Sequence, residues 1–150
     1  MKKILFLCTG NYYRSRYAEV FFNHLCMLSD TKWFATSRGL AVYQSNNPGP
    51  ISAHTFERLY DQGLWDDKII REPLQVTEKE LIEADKIIAL KEKEHRPMIV
   101  RLFPEFKNRV EYWKVHDVDF EIPQVALPQI EANLYKLLKQ LQSDKQLVFV

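Results

Sequence analysis

An apolar run near the start of the chain ends in a cysteine, and a polar loop and an arginine follow it. Residues 4–7 are continuously apolar, as in a strand of a parallel sheet that is covered on both faces. The stretch "CTGNYYRS", residues 8–15, comes next, and apolar residues then recur at helical spacing up to residue 28. A buried strand that leads through a tight loop into a helix restricts the chain to α/β architectures more than any other feature does.

The remaining pattern repeats this alternation of strands and helices. Further strands are predicted over residues 31–39, 86–90 and 109–115. Helices are predicted over residues 51–63, 76–85, 91–103 and 127–142, and Thr77 and Glu80 have the spacing of a capping box. No internal repeat or linker divides the chain, so we expect a single domain over residues 1–150. The predicted fold is a three-layer α/β/α domain with a central, mostly parallel four-stranded sheet.

Charge and cysteine content exclude several classes of protein. The formal net charge is +1, which gives no drive towards nucleic acid or an anionic membrane surface. Two cysteines form no disulfide framework and have no metal-ligand spacing to the four histidines, so we expect no metal and no cofactor. The apolar run of "MKKILFLC" is too short for a secretory signal. We therefore expect a soluble, cytoplasmic protein.

The loop "CTGNYYRS" has the residues of an anion-binding turn. Gly10 and Asn11 tolerate positive φ, so the loop can curl with its N–H groups pointing inward. Such a turn before a helix N-terminus binds a tetrahedral anion, and Arg14 can hold two of its oxygens at once. The same positive field favours the thiolate of Cys8 and makes it a nucleophile. The alternative is that Cys8 is an inert, small apolar residue at the end of a buried strand.

This loop resembles the signature C-x-G-N-x-C-R-S of the low-molecular-weight protein tyrosine phosphatases, which also follows the first strand in that family. "SRG" at residues 37–39 resembles the S-A-G turn of the family, and "WKVHDVDF" at residues 113–120 lies where the family has its late aspartate loop. "QVTEKELIEADKIIAL", residues 75–90, resembles the segment between its second helix and third strand. The resemblance implies hydrolysis of phosphotyrosine, in a protein or a small aryl phosphate, with inorganic phosphate and vanadate as inhibitors.

The resemblance also implies roles for individual residues. Cys8 would form a phosphocysteine, Asp117 would act as general acid and then as base, and Arg14 would hold the phosphoryl group. Asn11 would fix the shape of the loop with Ser37 in support, and Ser15 would stabilise the thiolate. The residues implied to bind phosphate are Thr9, Gly10, Asn11, Tyr12, Tyr13, Arg14 and Ser15.

Several positions depart from the family pattern. Tyr13 replaces the second loop cysteine, so the protective disulfide of many members cannot form, and Arg71 stands where several members have a supporting histidine. Asp117 aligns best as the acid, but Asp119 is a competitor because Val118 replaces the usual proline.

The side chains around the loop leave two interpretations open. Tyr12, Tyr13 and Phe120 either stack on a substrate ring or pack inward. "KEKEHR", residues 91–96, is interpreted as a solvated helix start, and His95 and His116 as surface or structural residues.

Two other functions compete with hydrolysis. The altered acid loop and the tyrosine pair are compatible with a catalytically weak or inactive protein that binds phosphate or a phosphopeptide. Arsenate reduction on the same fold needs two further cysteines late in the chain, and no cysteine follows Cys26.

Overall fold

A computed structural model of the protein describes the backbone of residues 1–148 and the side chains of residues 1–143. Strands and helices alternate along the chain, joined by loops that include short 3-10 turns. The elements are β1 (Lys2–Cys8), α1 (Arg14–Ser29), β2 (Trp33–Gly39), α2 (Ala53–Asp61), α3 (Glu78–Glu83), β3 (Lys86–Ala89), α4 (Glu92–Leu102), β4 (Val110–Tyr112) and α5 (Pro123–Val148).

The strands form a four-stranded sheet with the order β2-β1-β3-β4, and every pairing is parallel. Side chains of β1 alternate between its two faces: Ile4 and Phe6 pack with α1, α2 and α5, whereas Leu5 and Leu7 pack with α3 and α4. Because helices cover both faces, β1 is apolar throughout rather than at every second residue. The predicted three-layer α/β/α fold is confirmed, with a sheet that is wholly parallel.

The helix boundaries follow the capping residues. Thr77 and Glu80 form the predicted capping box at the start of α3. The last helix begins at Pro123, not at residue 127 as predicted, because proline suits the first helical turn, where no N–H partner is needed. None of the helices in residues 1–148 is both long and apolar enough to cross a membrane. Residues 147 and 148 of the apolar segment "LVFV" belong to α5, and residues 149 and 150 lie outside the described part.

The strand order determines where a ligand can bind. The chain passes from β1 outward to β2 and then returns to place β3 on the other side of β1. The connections that leave the carboxyl ends of β1 and β3 therefore diverge, and in open parallel sheets ligands bind at such a crevice. Cys8 ends β1, and Lys91 lies two residues after the end of β3. The loop after β1 and the start of α4 consequently face each other at this crevice.

Candidate active site

The loop between β1 and α1 presents unpaired backbone N–H groups. In the part of the chain that the structure describes, the N–H groups of residues 10–13 donate to no backbone acceptor. Asn11 has φ 52°, the left-handed conformation that asparagine tolerates better than most residues. A Cβ atom at Gly10 would lie 2.9 Å from Asn47 Nδ2 and 3.1 Å from Ser45 Oγ, so any other residue would have to displace these two side chains of the adjacent loop. Together with the N-terminus of α1, these N–H groups provide an anion-binding turn.

The buried Asn11 side chain fixes the shape of this turn. Its Nδ2 donates hydrogen bonds to Ser15 Oγ at 2.9 Å and to Ser37 Oγ at 3.0 Å. Its Oδ1 accepts from Arg71 Nη1 at 2.9 Å and from the Leu74 backbone N–H at 3.1 Å. Both ends of the amide are therefore satisfied, which compensates for the unfavourable backbone conformation of Asn11.

Cys8 lies at the base of the turn. Its Sγ is 3.0 Å from Ser15 Oγ. Because Ser15 Oγ already accepts from Asn11 Nδ2, the Ser15 hydroxyl proton is free to donate to the sulfur. This hydrogen bond stabilises negative charge on Cys8. Cys26 is also a free thiol, and it packs in the core with α1 and α5.

Arg14 begins α1, and its side chain is only 2% exposed. Nη1 donates to the Val115 carbonyl at 3.0 Å, and Nη2 donates to Glu94 Oε2 at 2.8 Å. Asp117 Oδ2 lies 3.7 Å from Nη2. Burial opposes the charge of Arg14, but the Glu94 hydrogen bond and the Cys8 and Glu94 charges together raise the pKa of Arg14. Arg14 is thus a cation held at the site by neighbouring acceptors.

Glu94 and His95 are site residues that the sequence analysis missed. The interpretation of residues 91–96 as a solvated helix start is wrong for these two, since His95 is fully buried and Glu94 is largely buried. Glu94 Oε2 accepts from Arg14 and from the Thr9 hydroxyl, and it lies 3.0 Å from His95 Nε2, which also contacts Thr9 Oγ1 at 3.2 Å. Burial disfavours the ionised carboxyl, but the hydrogen bonds from His95 and Arg14 outweigh it and hold the pKa of Glu94 well below its usual range.

The loop after β4 supplies one of the two candidate acids. The Asp117 carboxyl is partly exposed and lies beside Arg14, and its Oδ1 accepts from the Val118 N–H at 2.9 Å. The Asp117 carbonyl accepts from the Phe120 N–H at 2.9 Å, which closes the loop into a turn. Asp119 is exposed and forms no hydrogen bond or ion pair with the described residues. The structure therefore places Asp117 beside Arg14 of the phosphate loop.

Tyr13 packs inward, which was one of the two interpretations. Its ring is 4% exposed and meets the His54 ring edge-on, with 6.1 Å between the ring centroids. Burial raises the pKa of Tyr13 to about 12, with a smaller contribution from the Asp117 charge. The Tyr13 hydroxyl has no hydrogen-bond partner among the described residues. Tyr13 therefore belongs to the core behind the loop. Of the three aromatic residues, Tyr12 and Phe120 remain as candidates for stacking on a substrate ring.

Tyr12 and Phe120 remain at the rim. Tyr12 is half-buried, and its hydroxyl donates to the Pro48 carbonyl at 2.5 Å, which ties the phosphate loop to the loop after β2. Phe120 is 72% exposed, and Lys91 Nζ lies 4.1 Å from its ring centroid. This cation–π contact joins the acid loop to the start of α4.

Arg71 supports the phosphate loop in the place of the histidine found in several family members. Besides Asn11, it contacts Ser37 through Nη2, at 3.1 Å from both the carbonyl oxygen and Oγ. The same nitrogen lies 3.2 Å from Glu19 Oε1, and Ser37 Oγ donates to that carboxylate at 3.0 Å. The substitution keeps a donor next to Asn11 Oδ1, with Glu19 balancing the added charge.

His95 makes the stability of the fold sensitive to acid. Burial lowers the pKa of His95, although Glu94 acts in the opposite direction. An unfolded histidine takes up a proton near pH 6.5, so the unfolded state gains protons first as the pH falls. We predict that the free energy of unfolding falls between about pH 7.5 and about pH 5.5, and that the fall is about 1 kcal/mol smaller in His95→Asn than in the wild type. Denaturant titrations at both pH values measure this difference, and the exposed His116→Asn is the control. If the free energy of unfolding depended on pH equally in His95→Asn and in the wild type, the acid sensitivity would belong to another group.

Comparisons with known proteins agree with this geometry. The model of the family "low molecular weight phosphotyrosine protein phosphatase" matches residues 3–147. A search of curated proteins found no match. YfkJ from Bacillus subtilis is 25% identical, with a TM-score of 0.82 and 97% of each chain covered.

Two further solved structures have lower identity. The low molecular weight protein tyrosine phosphatase from T. tengcongensis is 23% identical with a TM-score of 0.79, over 93% of this chain and 99% of that one. The YwlE arginine phosphatase from Geobacillus stearothermophilus is 22% identical with a TM-score of 0.77, over 97% of this chain and 96% of that one.

The family match spans almost the whole chain and includes every element that builds the site. The predicted family is therefore confirmed, and with it the phosphatase class of hydrolases. This protein belongs to the low molecular weight phosphotyrosine protein phosphatase family, whose members act through a cysteine.

Proposed function

We propose that the protein hydrolyses phosphotyrosine and related aryl phosphate monoesters through a phosphocysteine at Cys8. One observation carries this proposal: Cys8 Sγ lies 3.0 Å from Ser15 Oγ, whose proton is free to donate to the sulfur, inside a turn of unpaired N–H groups that ends at Arg14. A thiolate at the centre of an anion-binding turn is placed to attack the phosphorus of the phosphoryl group that the turn binds.

The first step transfers the phosphoryl group to the enzyme. The Cys8 thiolate forms an S–P bond while the P–O bond to the phenol breaks. Arg14 and the loop N–H groups stabilise the negative charge on the three oxygens that stay on phosphorus. A phenolate is a poor leaving group because the pKa of phenol is about 10, so Asp117 gives its proton to the departing oxygen.

The second step regenerates the enzyme. The Asp117 carboxylate takes a proton from water, and the resulting hydroxide attacks the phosphorus. The S–P bond breaks, which releases inorganic phosphate and returns the Cys8 thiolate. The 3.7 Å between Asp117 Oδ2 and Arg14 Nη2 supports Asp117 rather than Asp119 in this role, because the acid must lie next to the bound phosphoryl group.

Phosphoarginine is a second candidate substrate. Asp117 and Asp119 lie on the exposed acid loop beside the phosphate site, and carboxylates pair well with a guanidinium group. One similar solved structure is an arginine phosphatase. In that case the acid loop would hold the substrate guanidinium while Asp117 protonates the leaving nitrogen.

A panel of substrates tests the proposal. Enzyme treated with a chelator should hydrolyse p-nitrophenyl phosphate and a phosphotyrosine peptide at mildly acidic pH, and vanadate and inorganic phosphate should inhibit both reactions. Peptides of the same sequence that carry phosphoserine or phosphoarginine are the matched comparisons. Faster turnover of the phosphoarginine peptide would select the second candidate. Phosphate binding without turnover of any substrate would instead indicate a non-catalytic phosphate-binding protein.

A further inference from the structure

Glu94 connects the start of α4 to the two ends of the phosphate loop. Its Oε2 accepts hydrogen bonds from the Thr9 hydroxyl and from Arg14 Nη2 at 2.8 Å, and it lies 3.0 Å from His95 Nε2. Thr9 directly follows the nucleophile, and Arg14 is the residue that holds phosphate in the proposed function. One carboxylate oxygen therefore contacts both ends of the loop and a buried histidine.

The buried histidine holds the Glu94 carboxylate in place. The Lys91 backbone N–H donates to His95 Nδ1 at 3.0 Å, so Nδ1 is an acceptor and the proton of the neutral ring lies on Nε2. That proton can be donated to Thr9 Oγ1 at 3.2 Å, and the Thr9 hydroxyl in turn donates to Glu94 Oε2, which lies 3.0 Å from Nε2. The tautomer of His95 is thus set by the backbone of the α4 N-terminus, and the ring holds Glu94 through Thr9 and by direct contact.

Glu94 determines how the Arg14 guanidinium is oriented. Nη1 is bound to the Val115 carbonyl and Nη2 to Glu94, so two acceptors on different elements fix the plane of the group. A guanidinium has five N–H donors, and these two bonds leave three for phosphoryl oxygens. Without Glu94, the Val115 carbonyl would be the remaining hydrogen-bonded acceptor, because Asp117 Oδ2, 3.7 Å from Nη2, is beyond hydrogen-bond distance. No hydrogen bond at Nη2 would then restrain rotation about the Nε–Cζ bond.

Because Glu94 is negatively charged, its effect on the orientation of Arg14 can be distinguished from an effect on the affinity for phosphate. A carboxylate beside the phosphate site repels a dianion, so Glu94 does not strengthen the binding of substrate in the ground state. Its benefit can arise only where the guanidinium must match the oxygens of the transition state.

We propose that Glu94 is a positioning residue that fixes the Arg14 guanidinium for the transition state of phosphoryl transfer. The proposal rests on the proposed function, in which Arg14 binds the phosphoryl group. It assigns to Glu94 an effect on kcat that is not accompanied by weaker phosphate binding.

Kinetics of Glu94→Gln test the proposal. We expect kcat for p-nitrophenyl phosphate to fall by about tenfold to about a hundredfold, whereas KM and the inhibition constant of inorganic phosphate stay unchanged or decrease. Glu92→Gln is the matched control, since Glu92 lies on the same helical turn and pairs with the exposed Arg96. Wild-type kcat in Glu94→Gln, or a rise in KM at constant kcat, would overturn the proposal.

An NMR measurement tests the same inference without turnover. A guanidinium held at both Nη atoms gives separate Nη signals, and a rotating one gives averaged signals. We expect separate Arg14 signals in the wild type and in Glu92→Gln, and averaged signals in Glu94→Gln. Identical Arg14 spectra in all three proteins would overturn the proposal even if no substrate were hydrolysed, which keeps its failure distinct from a failure of the proposed function.

A second variant covers the case in which Glu94→Gln does not fold. Glu94→Asp keeps the charge but shortens the side chain by one methylene, so its carboxylate no longer reaches Arg14 Nη2 at 2.8 Å. We expect a lower kcat with unchanged phosphate inhibition and averaged Arg14 signals in this variant too. Full activity in Glu94→Asp, with averaged Arg14 signals, would contradict a positioning role.

Discussion

Cys8→Ser will lose at least about a thousandfold in kcat on any phosphate monoester, while its phosphate site remains intact. A serine hydroxyl ionises far less readily than a thiol, so the same loop N–H groups cannot hold it as an anion at neutral pH. The Asn11 contacts do not involve Cys8, and a serine hydroxyl at position 8 can accept from Ser15 in place of the sulfur, so the turn should persist. Steady-state hydrolysis of p-nitrophenyl phosphate measures the loss, and calorimetry with inorganic phosphate measures the binding that should remain.

Cys26→Ala provides the control for the removal of a thiol. Cys26 packs in the core near the end of α1, eighteen positions after Cys8, and forms no hydrogen bond with the side chains of the phosphate loop among the described residues. We expect this variant to keep wild-type kcat and KM at temperatures well below its unfolding transition. Turnover that survives in Cys8→Ser, or that is lost in Cys26→Ala, would remove Cys8 from the role of nucleophile.

Asp117→Asn is expected to slow phosphotyrosine hydrolysis by a factor between about a hundred and about ten thousand, the usual range for a general acid or base. Asparagine keeps the shape of the side chain and its hydrogen bond to the Val118 N–H, but it cannot give up a proton. The first step should be affected less for p-nitrophenyl phosphate, because nitrophenolate leaves without protonation. Comparison of kcat/KM for the two substrates measures this difference, because kcat/KM reports the first step and not the shared hydrolysis of the phosphoenzyme.

Asp119→Asn is the matched control for the acid. The Asp119 carboxyl is exposed and is bound to none of the described residues. The activity of Asp119→Asn on phosphotyrosine and on p-nitrophenyl phosphate should therefore remain within a factor of about two of wild type. A larger loss of activity in Asp119→Asn than in Asp117→Asn would show that Asp119 is the general acid.

If Asp117 protonates the leaving group of both phosphotyrosine and phosphoarginine, Asp117→Asn should lose turnover of the two substrates equally.

The phosphate loop was predictable because its determinants are local. An apolar strand, a residue that tolerates positive φ and a helix start lie within fifteen residues, and these residue types restrict the backbone directly. The contacts of Asn11 with Ser15 followed from the same short segment. The parallel sheet was predictable for a similar reason, since parallel strands with helices on both faces must be apolar throughout, but the strand order was not predicted.

Glu94, His95 and Arg71 were not predictable from local pattern. "KEKEHR" has the polarity of a solvated helix. Nothing within these six residues shows that β3 lies beside β1, which directs Glu94 and His95 towards the phosphate loop. Arg71 lies in a segment without periodicity and reaches Asn11 across sixty positions of sequence. In each case the polar side chain is buried because a partner from a distant element satisfies it.

The inward packing of Tyr13 has a different cause. An aromatic residue in a loop can point to solvent or to the core, and sequence alone does not distinguish the two. Tyr13 immediately precedes α1 and lies against α2, where His54 meets its ring. The helix start therefore determines its direction, and the position that carries a second cysteine elsewhere in the family becomes part of the core.

Identification of the phosphorylated residue tests the central claim most directly. Asp117→Asn enzyme mixed with p-nitrophenyl phosphate and quenched within the first turnover should accumulate a phosphoenzyme, since its second step lacks a base. Peptide mass spectrometry and ³¹P NMR should then place the phosphoryl group on the Cys8 sulfur. The absence of a phosphoenzyme, or a phosphoryl group on His95 or any other residue, would contradict the mechanism.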